Sequence, residues 1–219
     1  MIYDISPLIS DRLAVWPGDS SPRREVLLDI QRGDNITLST LHATVHLGAH
    51  ADAPSHYGAG AAGIDSRSLD YYLGRCQVVR IEIPRGTCIE PAMIGRRIDA
   101  ERVLFATGSF PDPNRFNTDF AAISPECVDL LHRQGVILVG IDTPSVDLFA
   151  SKDLPCHRMF LRHDMAILEG LALDGVPEGT YELIALPLRL VGCDASPVRA
   201  VLRTLEWVYD TVCNHAALR

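Results

Sequence analysis

Between residues 42 and 56 the chain reads HATVHLGAHADAPSH, the stretch that most restricts how it can fold. Four of the eight histidines fall in these fifteen residues. An even scatter would place roughly half a histidine there, and histidines grouped with an acid are the usual mark of a metal or catalytic site. His42, His46, His50, Asp52 and His56 all carry even numbers, whereas Leu41, Ala43, Val45 and Leu47 are odd. On an extended chain side chains alternate between faces, so the polar set shares one face and the apolar set the other.

A straight strand cannot bring these groups to one point. At 3.3 Å per residue His46 and His50 would lie about 13 Å apart, while two nitrogens on one zinc ion lie roughly 3.4 Å apart. The chain must therefore curl. Gly48 lies midway and permits unusual dihedrals; Pro54 argues against a continuous helix. A strand over residues 36–47 is expected to deliver His46, and a tight turn then folds His50 and Asp52 back onto the same ion. His56 follows as a fourth polar group, open to a role as ligand, acid–base group or bystander. His42, His132, His163 and His215 read as hydrogen-bonded structural residues.

A distant segment can complete such a site. The stretch DTPSVD (142–147) follows the apolar run VILVGI, where a strand end presents polar side chains. Further on come Cys156-His157-Arg158 and the run AILEG, in which Glu169 follows apolar residues. By position alone His157 and Glu169 compete with His163 and Asp164 as ligands.

The rest of the sequence sets the frame. The chain has 219 residues, 47% of them apolar and 22% charged, enough to bury a core and ordinary for a globular protein. A single domain over 1–219 is expected. Twenty basic against 28 acidic residues leave a formal charge of −8, which argues against nucleic acid as a partner. The start MIYDISPLIS lacks the basic opening and long apolar run of a signal peptide, and no run approaches the roughly 20 residues that span a bilayer. A cytoplasmic address follows as the expectation. The six widely spaced cysteines, without a C-x-x-C pair, agree with reduced thiols. Strand-like runs cover 2–5, 25–30, 36–47, 77–83, 103–106, 136–141 and 181–191. Helices are expected over 69–73 (capped by Asp65 or Ser66, ended by Gly74), over 92–98 after Pro91, and from Ser124 through His132 with Gly135 as the stop. Residues 108–117 read as a loop. The mixture favours an α/β or α+β class. Neither G-x-S-x-G nor H-E-x-x-H occurs, which removes the serine-hydrolase elbow and the common metalloprotease helix.

The segment His46-Leu-Gly-Ala-His50-Ala-Asp52-Ala-Pro54-Ser-His56 resembles the H-x-G-T-H-x-D-x-P-x-H signature of the cyclase-like, metal-dependent hydrolases. The likeness extends to the opening YDISPLI, to GIDTPSVD, and to His157 twelve residues before Glu169. The element WPGD (16–19) together with HLGAHADAPSH is similar to the kynurenine formamidase, or arylformamidase, branch of that family. The resemblance implies an α/β chain with the swivelling β/β/α fold, a homodimer and two zinc ions per chain. It implies that His46, His50 and Asp52 hold one zinc. Asp52 also reaches the second, with His157 and Glu169. His56 would give and take the proton, and Trp16 would line the substrate pocket rather than pack in the core before a Pro-Gly turn. Ala49 stands where the broad family has Thr, a position that binds no metal.

The implied reaction is hydrolysis of N-formyl-L-kynurenine to L-kynurenine and formate, a step of tryptophan catabolism. Zinc makes hydroxide available at neutral pH, and a histidine protonates the poor arylamine leaving group. Manganese or another divalent metal also suits His and carboxylate ligands. Two rivals remain: another small-amide or cyclic-amide hydrolase of the isatin hydrolase kind, and a zinc-binding protein without turnover.

Overall fold

The computed structural model describes residues 1–205; Cys213 and His215 lie outside them. In chain order the elements are β1 (Ile2–Asp4), β2 (Arg23–Leu28), β3 (Leu38–His42), β4 (His50–Asp52), α1 (Pro54–Tyr57), β5 (Leu73–Arg80), β6 (Cys88–Ile89), α2 (Pro91–Ile94) and β7 (Arg102–Ala106). There follow β8 (Ala122–Ile123), α3 (Pro125–Arg133), β9 (Leu138–Ile141), α4 (Pro155–His163), β10 (Ala166–Glu169), β11 (Gly179–Ile184), β12 (Ala195–Pro197) and β13 (Val201–Thr204). Nine strands form one sheet in the order β1-β13-β11-β5-β7-β9-β10-β4-β12. Its centre, β5-β7-β9-β10, is parallel, and antiparallel strands extend it on both sides. β2 pairs with β3 and β6 with β8 in two small separate sheets.

The central strands are buried on both faces, as a parallel sheet requires. Val78, Leu104, Leu138 and Leu168 point into one apolar cluster. Their neighbours Val79, Val103, Val139 and Ile167 point into the other. The second cluster is roofed by α3, through Cys127, Val128 and Leu131, and by α4, through Cys156 and Phe160. Ser124 caps α3 by accepting from the Cys127 N–H, with Pro125 in the first turn. The class is α/β.

Several elements fall elsewhere than the sequence pattern predicts. The strand expected over 36–47 ends at His42. Its partner among the described residues, β2, stops at Arg23 opposite His42, and Pro22 before it has no N–H to continue the ladder. Conversely, residues 50–52, expected in a turn, are a strand held between β10 and β12. The helix expected over 92–98 ends at Ile94, where Gly95 takes φ +64°. The one expected over 69–73 is a single 3-10 turn, Leu69–Tyr71, capped by Ser68, and Gly74 sits inside β5. The run over 181–191 stops at Ile184, three residues before Pro187. Helix α4 carries a start signal, Pro155, and apolar Cys156, Met159 and Phe160 at helical spacing. Among the described residues Cys76, Cys88, Cys127, Cys156 and Cys193 are free thiols, and no helix is long and apolar enough to cross a membrane.

Candidate metal centre

Strand β4 is the axis of the site. Its extended backbone places His50 and Asp52 two residues apart on one side. The ladder with β10 sets Glu169 directly opposite His50, because a carboxylate at the end of the parallel strand meets the start of its antiparallel neighbour. His157 comes from the first turn of α4. His46 lies in the bend before β4, where Gly48 turns the chain with φ +56°. The curl that the histidine spacing requires between His46 and His50 is therefore present at Gly48; what differs is that His50 and Asp52 follow it on a strand instead of lying in the turn. His56 comes from the short helix α1, which begins at Pro54.

These side chains converge on Asp52, whose side chain is fully buried. His46 Nδ1 is 3.1 Å and His50 Nε2 3.5 Å from Asp52 Oδ1, and His157 Nε2 is 3.5 Å from Oδ2. Glu169 adds its Oε2 at 3.3 Å from His50 Nε2 and its Oε1 at 3.6 Å from His157 Nε2. Two donor groups share Asp52: His46 with His56, and His50 with Glu169, each with its ligand atoms within 4.8 Å of one another. The pairing expected from the sequence, His46 with His50, is thus joined by a closer pairing of His46 with His56; their ring centres are 4.3 Å apart.

The outer nitrogens of three of these rings are already committed. His50 Nδ1–H donates to the Gly48 carbonyl at 2.8 Å, and His157 Nδ1–H donates to Asp147 Oδ2 at 2.7 Å. His46 Nε2–H donates to Asp194 Oδ2 at 3.0 Å. Each ring therefore has its other nitrogen on the Asp52 side, where it can carry a proton or, once that proton is displaced, bind a metal; outer partners orient metal-ligating histidines in this way. Asp147 is held in turn by the N–H groups of Cys156 and His157. At the centre, His50 Nε2 and both Asp52 oxygens are buried without a well-directed hydrogen bond. Leaving such groups unpaired is costly. A divalent cation is what this set of imidazoles and carboxylates fits.

The electrostatics agree. Burial opposes a charge on His46, but the hydrogen bond and charge of Asp52, with Asp194, outweigh it and raise its pKa to about 9. His157 is likewise pushed up to about 10, against burial, by Asp147, Asp52 and Glu169. Burial would raise the Asp52 pKa, yet His157 and His46 hold it well below the ordinary carboxylate range. The carboxylates create a strong demand for positive charge, which protons or a metal ion satisfy.

The centre forms the floor of a cavity of about 620 Å³. Trp16 stands in its wall, 37% exposed, with its ring 5.0 Å from Phe149 and 5.5 Å from Phe116. His56 lines it too, with a side chain one-third exposed. His163 and Asp164, the competing candidates, are engaged elsewhere: His163 with Asp129 at 3.2 Å, Asp164 with Arg67 and Tyr71. His42 pairs with Glu25 at 2.8 Å, and His132 stacks on His163. Sequence reasoning passed over Asp194 and gave Asp147 no separate role. Asp147 lies in the DTPSVD stretch after the apolar run, where the signal was present; Asp194, after Gly192 and Cys193, carried none.

The sequence matches the family model named Cyclase over residues 3–148. A kynurenine formamidase of Polaromonas naphthalenivorans is 44% identical over 207 residues, covering 94% of this chain and 92% of that protein. A solved structure described as a potential metal-dependent hydrolase with cyclase activity superimposes with a TM-score of 0.81 at 28% identity, covering 94% of this chain and 98% of its own. Isatin hydrolase A of Labrenzia aggregata, bound to benzyl benzoate, shares the fold with a TM-score of 0.80 at 21% identity, covering 94% of each chain. With a model match over more than half its length and a full-length relative this similar, the chain belongs to the Cyclase family of metal-dependent hydrolases.

Proposed function

We propose that this chain hydrolyses N-formyl-L-kynurenine to L-kynurenine and formate. The observation that carries the reading is the buried Asp52, its oxygens without a well-directed hydrogen bond amid His46, His50 and His157, at the floor of an aromatic-walled cavity. The substrate follows from the 44% identical formamidase. His46, His50, Asp52, His157 and Glu169 would hold two zinc ions, with Asp52 shared between them. Zinc bound there supplies a water of lowered pKa and polarises a carbonyl oxygen.

The chain's own residues do the rest. His56 reaches the cavity from α1 and serves as the proton donor and acceptor. When the formyl C–N bond breaks, the aryl nitrogen leaves as a neutral amine only if it takes up a proton, a task for a positioned imidazole at the cavity. Trp16 offers a flat face to the aryl ring. Phe110 and Phe116 in the wall exclude water from it.

The working unit we propose is a cytoplasmic homodimer, consistent with the free thiols. The β2–β3 hairpin stands apart from the main sheet and exposes Val26, Leu27, Ile30, Ile36, Leu38 and Leu41. A two-stranded hairpin is marginal alone, and a second copy would cover this face.

A comparison of kcat/KM on N-formyl-L-kynurenine and on isatin tests the substrate. The formamide is expected to be favoured by about a hundredfold or more, a difference of about 2.8 kcal/mol in transition-state binding. Faster opening of isatin would make the chain a cyclic-amide hydrolase, and turnover of neither would leave a metal-binding protein without catalysis.

A further inference from the structure

Asp194 lies in the loop before β12 and faces two of the histidines at once. Its Oδ2 accepts from His46 Nε2–H at 3.0 Å and from His56 Nδ1–H at 3.2 Å. The Asp194 carbonyl accepts from the Ala53 N–H at 2.8 Å, between β4 and α1. The next residue, Ala195, is paired with Asp52 in the sheet. The preceding Cys193 carbonyl accepts from Ile64 N–H at 3.0 Å. The carboxylate is thus delivered to the histidines by the same strand pairing that positions Asp52.

One acceptor therefore decides two tautomers. By holding the Nε2 proton of His46 it leaves Nδ1, 3.1 Å from Asp52 Oδ1, as the atom that would bind a metal. By holding the Nδ1 proton of His56 it leaves Nε2 as the atom available for proton exchange. Which ring nitrogen carries the proton is set by the hydrogen bond of the other. We propose that Asp194 is a positioning residue that fixes His46 for metal and His56 for proton transfer together. This rests on the roles given to His46 and His56 under the proposed function. Both bonds end on the one oxygen, Oδ2, so the carboxylate that serves one ring serves the other.

The experiment is a double-mutant cycle on the metal-loaded full chain, read by kcat, KM and the rate of metal release to a chelator. Asp194→Ala is expected to lower kcat by about 10–100-fold, with KM changed by less than about threefold, the scale of losing an outer partner. In a His56→Ala background the same change should cost less than about threefold in kcat, since residues acting as a unit are not additive. Metal release should accelerate by about tenfold or more in both backgrounds, because that effect runs through His46. Asp194→Asn keeps an oxygen acceptor without the charge and should fall between parent and Asp194→Ala. If the alanine variant does not fold, the asparagine variant carries the same cycle at smaller amplitude.

Full multiplicativity of the two kcat losses would overturn the His56 part, and unchanged metal release would overturn the His46 part. A fall in KM-type binding alone would make Asp194 a pocket residue and overturn both. Unaltered kcat in His56→Ala by itself would contradict the proton-transfer reading beneath the proposal. That result differs from additive losses, which would sink the Asp194 assignment while leaving His56 in its role.

Discussion

The carbonyl oxygen of Gly48 occupies the space that a side chain on Gly170 would need. A Cβ built on Gly170 overlaps that oxygen, and Gly170 itself has φ +65°. The same carbonyl accepts the hydrogen bond from His50 Nδ1. The residue after Glu169 must therefore be small for His50 to be aimed, so the two halves of the centre are fitted to each other through backbone.

Gly170→Ala should consequently damage the metal centre without touching a ligand. A left-handed backbone costs about 1–3 kcal/mol for a non-glycine residue. Relief of the overlap must also shift Gly48 and turn the His50 ring. Metal content and thermal melting check this. Loss of bound metal together with a lowered melting temperature is expected; full metal content at parental stability would show that the loop yields.

Metal analysis of protein purified without chelator should find about two divalent ions per chain, since the five proposed ligands exceed the three of a single open catalytic site. One ion, unaffected by His157→Ala, would reduce the centre to the part around His46.

The chelated protein should show a distinctive pH dependence. The raised pKa values of His46, about 9, and His157, about 10, lie above the ordinary 6.5. Their ion pairs with the carboxylates contribute fully below pH 6.5 and are lost as the pH rises through 9 to 10. Asp52, depressed below 3.8, contributes above that value and loses its contribution as the pH falls through its native pKa. The metal-free chain should thus melt highest between about pH 4 and 6.5 and lower at pH 9.5, where each ~1 kcal/mol lost moves the midpoint by about 2–4 °C. The gain on adding zinc should grow over the same range, because the ion displaces those protons. A chelated melting temperature that stays level from pH 6.5 to 9.5 would contradict the charge assignment.

Part of this site was legible in the sequence because His46, His50, Asp52 and His56 crowd into one short stretch of the chain. The even numbering of His50 and Asp52 has its counterpart in the one-sided presentation of β4, and Gly48 turns where the spacing needed a bend. What failed was the assignment of strand and turn. Periodicity at residues 36–47 is the same for a paired and an unpaired extended chain, and Pro22, just before the partner strand, marks where pairing ends. His157 and Glu169 were ambiguous by position because their meeting depends on β10 lying beside β4, a contact across more than a hundred residues. Asp194 was invisible for the same reason: one acid in a loop acquires its meaning from the sheet that brings it to His46 and His56.

Trp16 separates a wall from a core. Its ring touches Phe116 and Phe149 but remains 37% exposed. Trp16→Ala should raise KM for N-formyl-L-kynurenine by about tenfold, about 1.4 kcal/mol of binding, and should leave metal content unchanged. A core tryptophan would instead cost about 3–5 kcal/mol of stability on truncation. Melting and kinetics on the same preparation distinguish the two.

Formate release from N-formyl-L-kynurenine, followed before chelation, after chelation and after return of zinc, tests the central claim most directly. Rapid release that falls to background with the metal removed, and recovers with zinc, is the expected result. Undiminished release from protein shown to be metal-free would contradict a function built on the Asp52 centre.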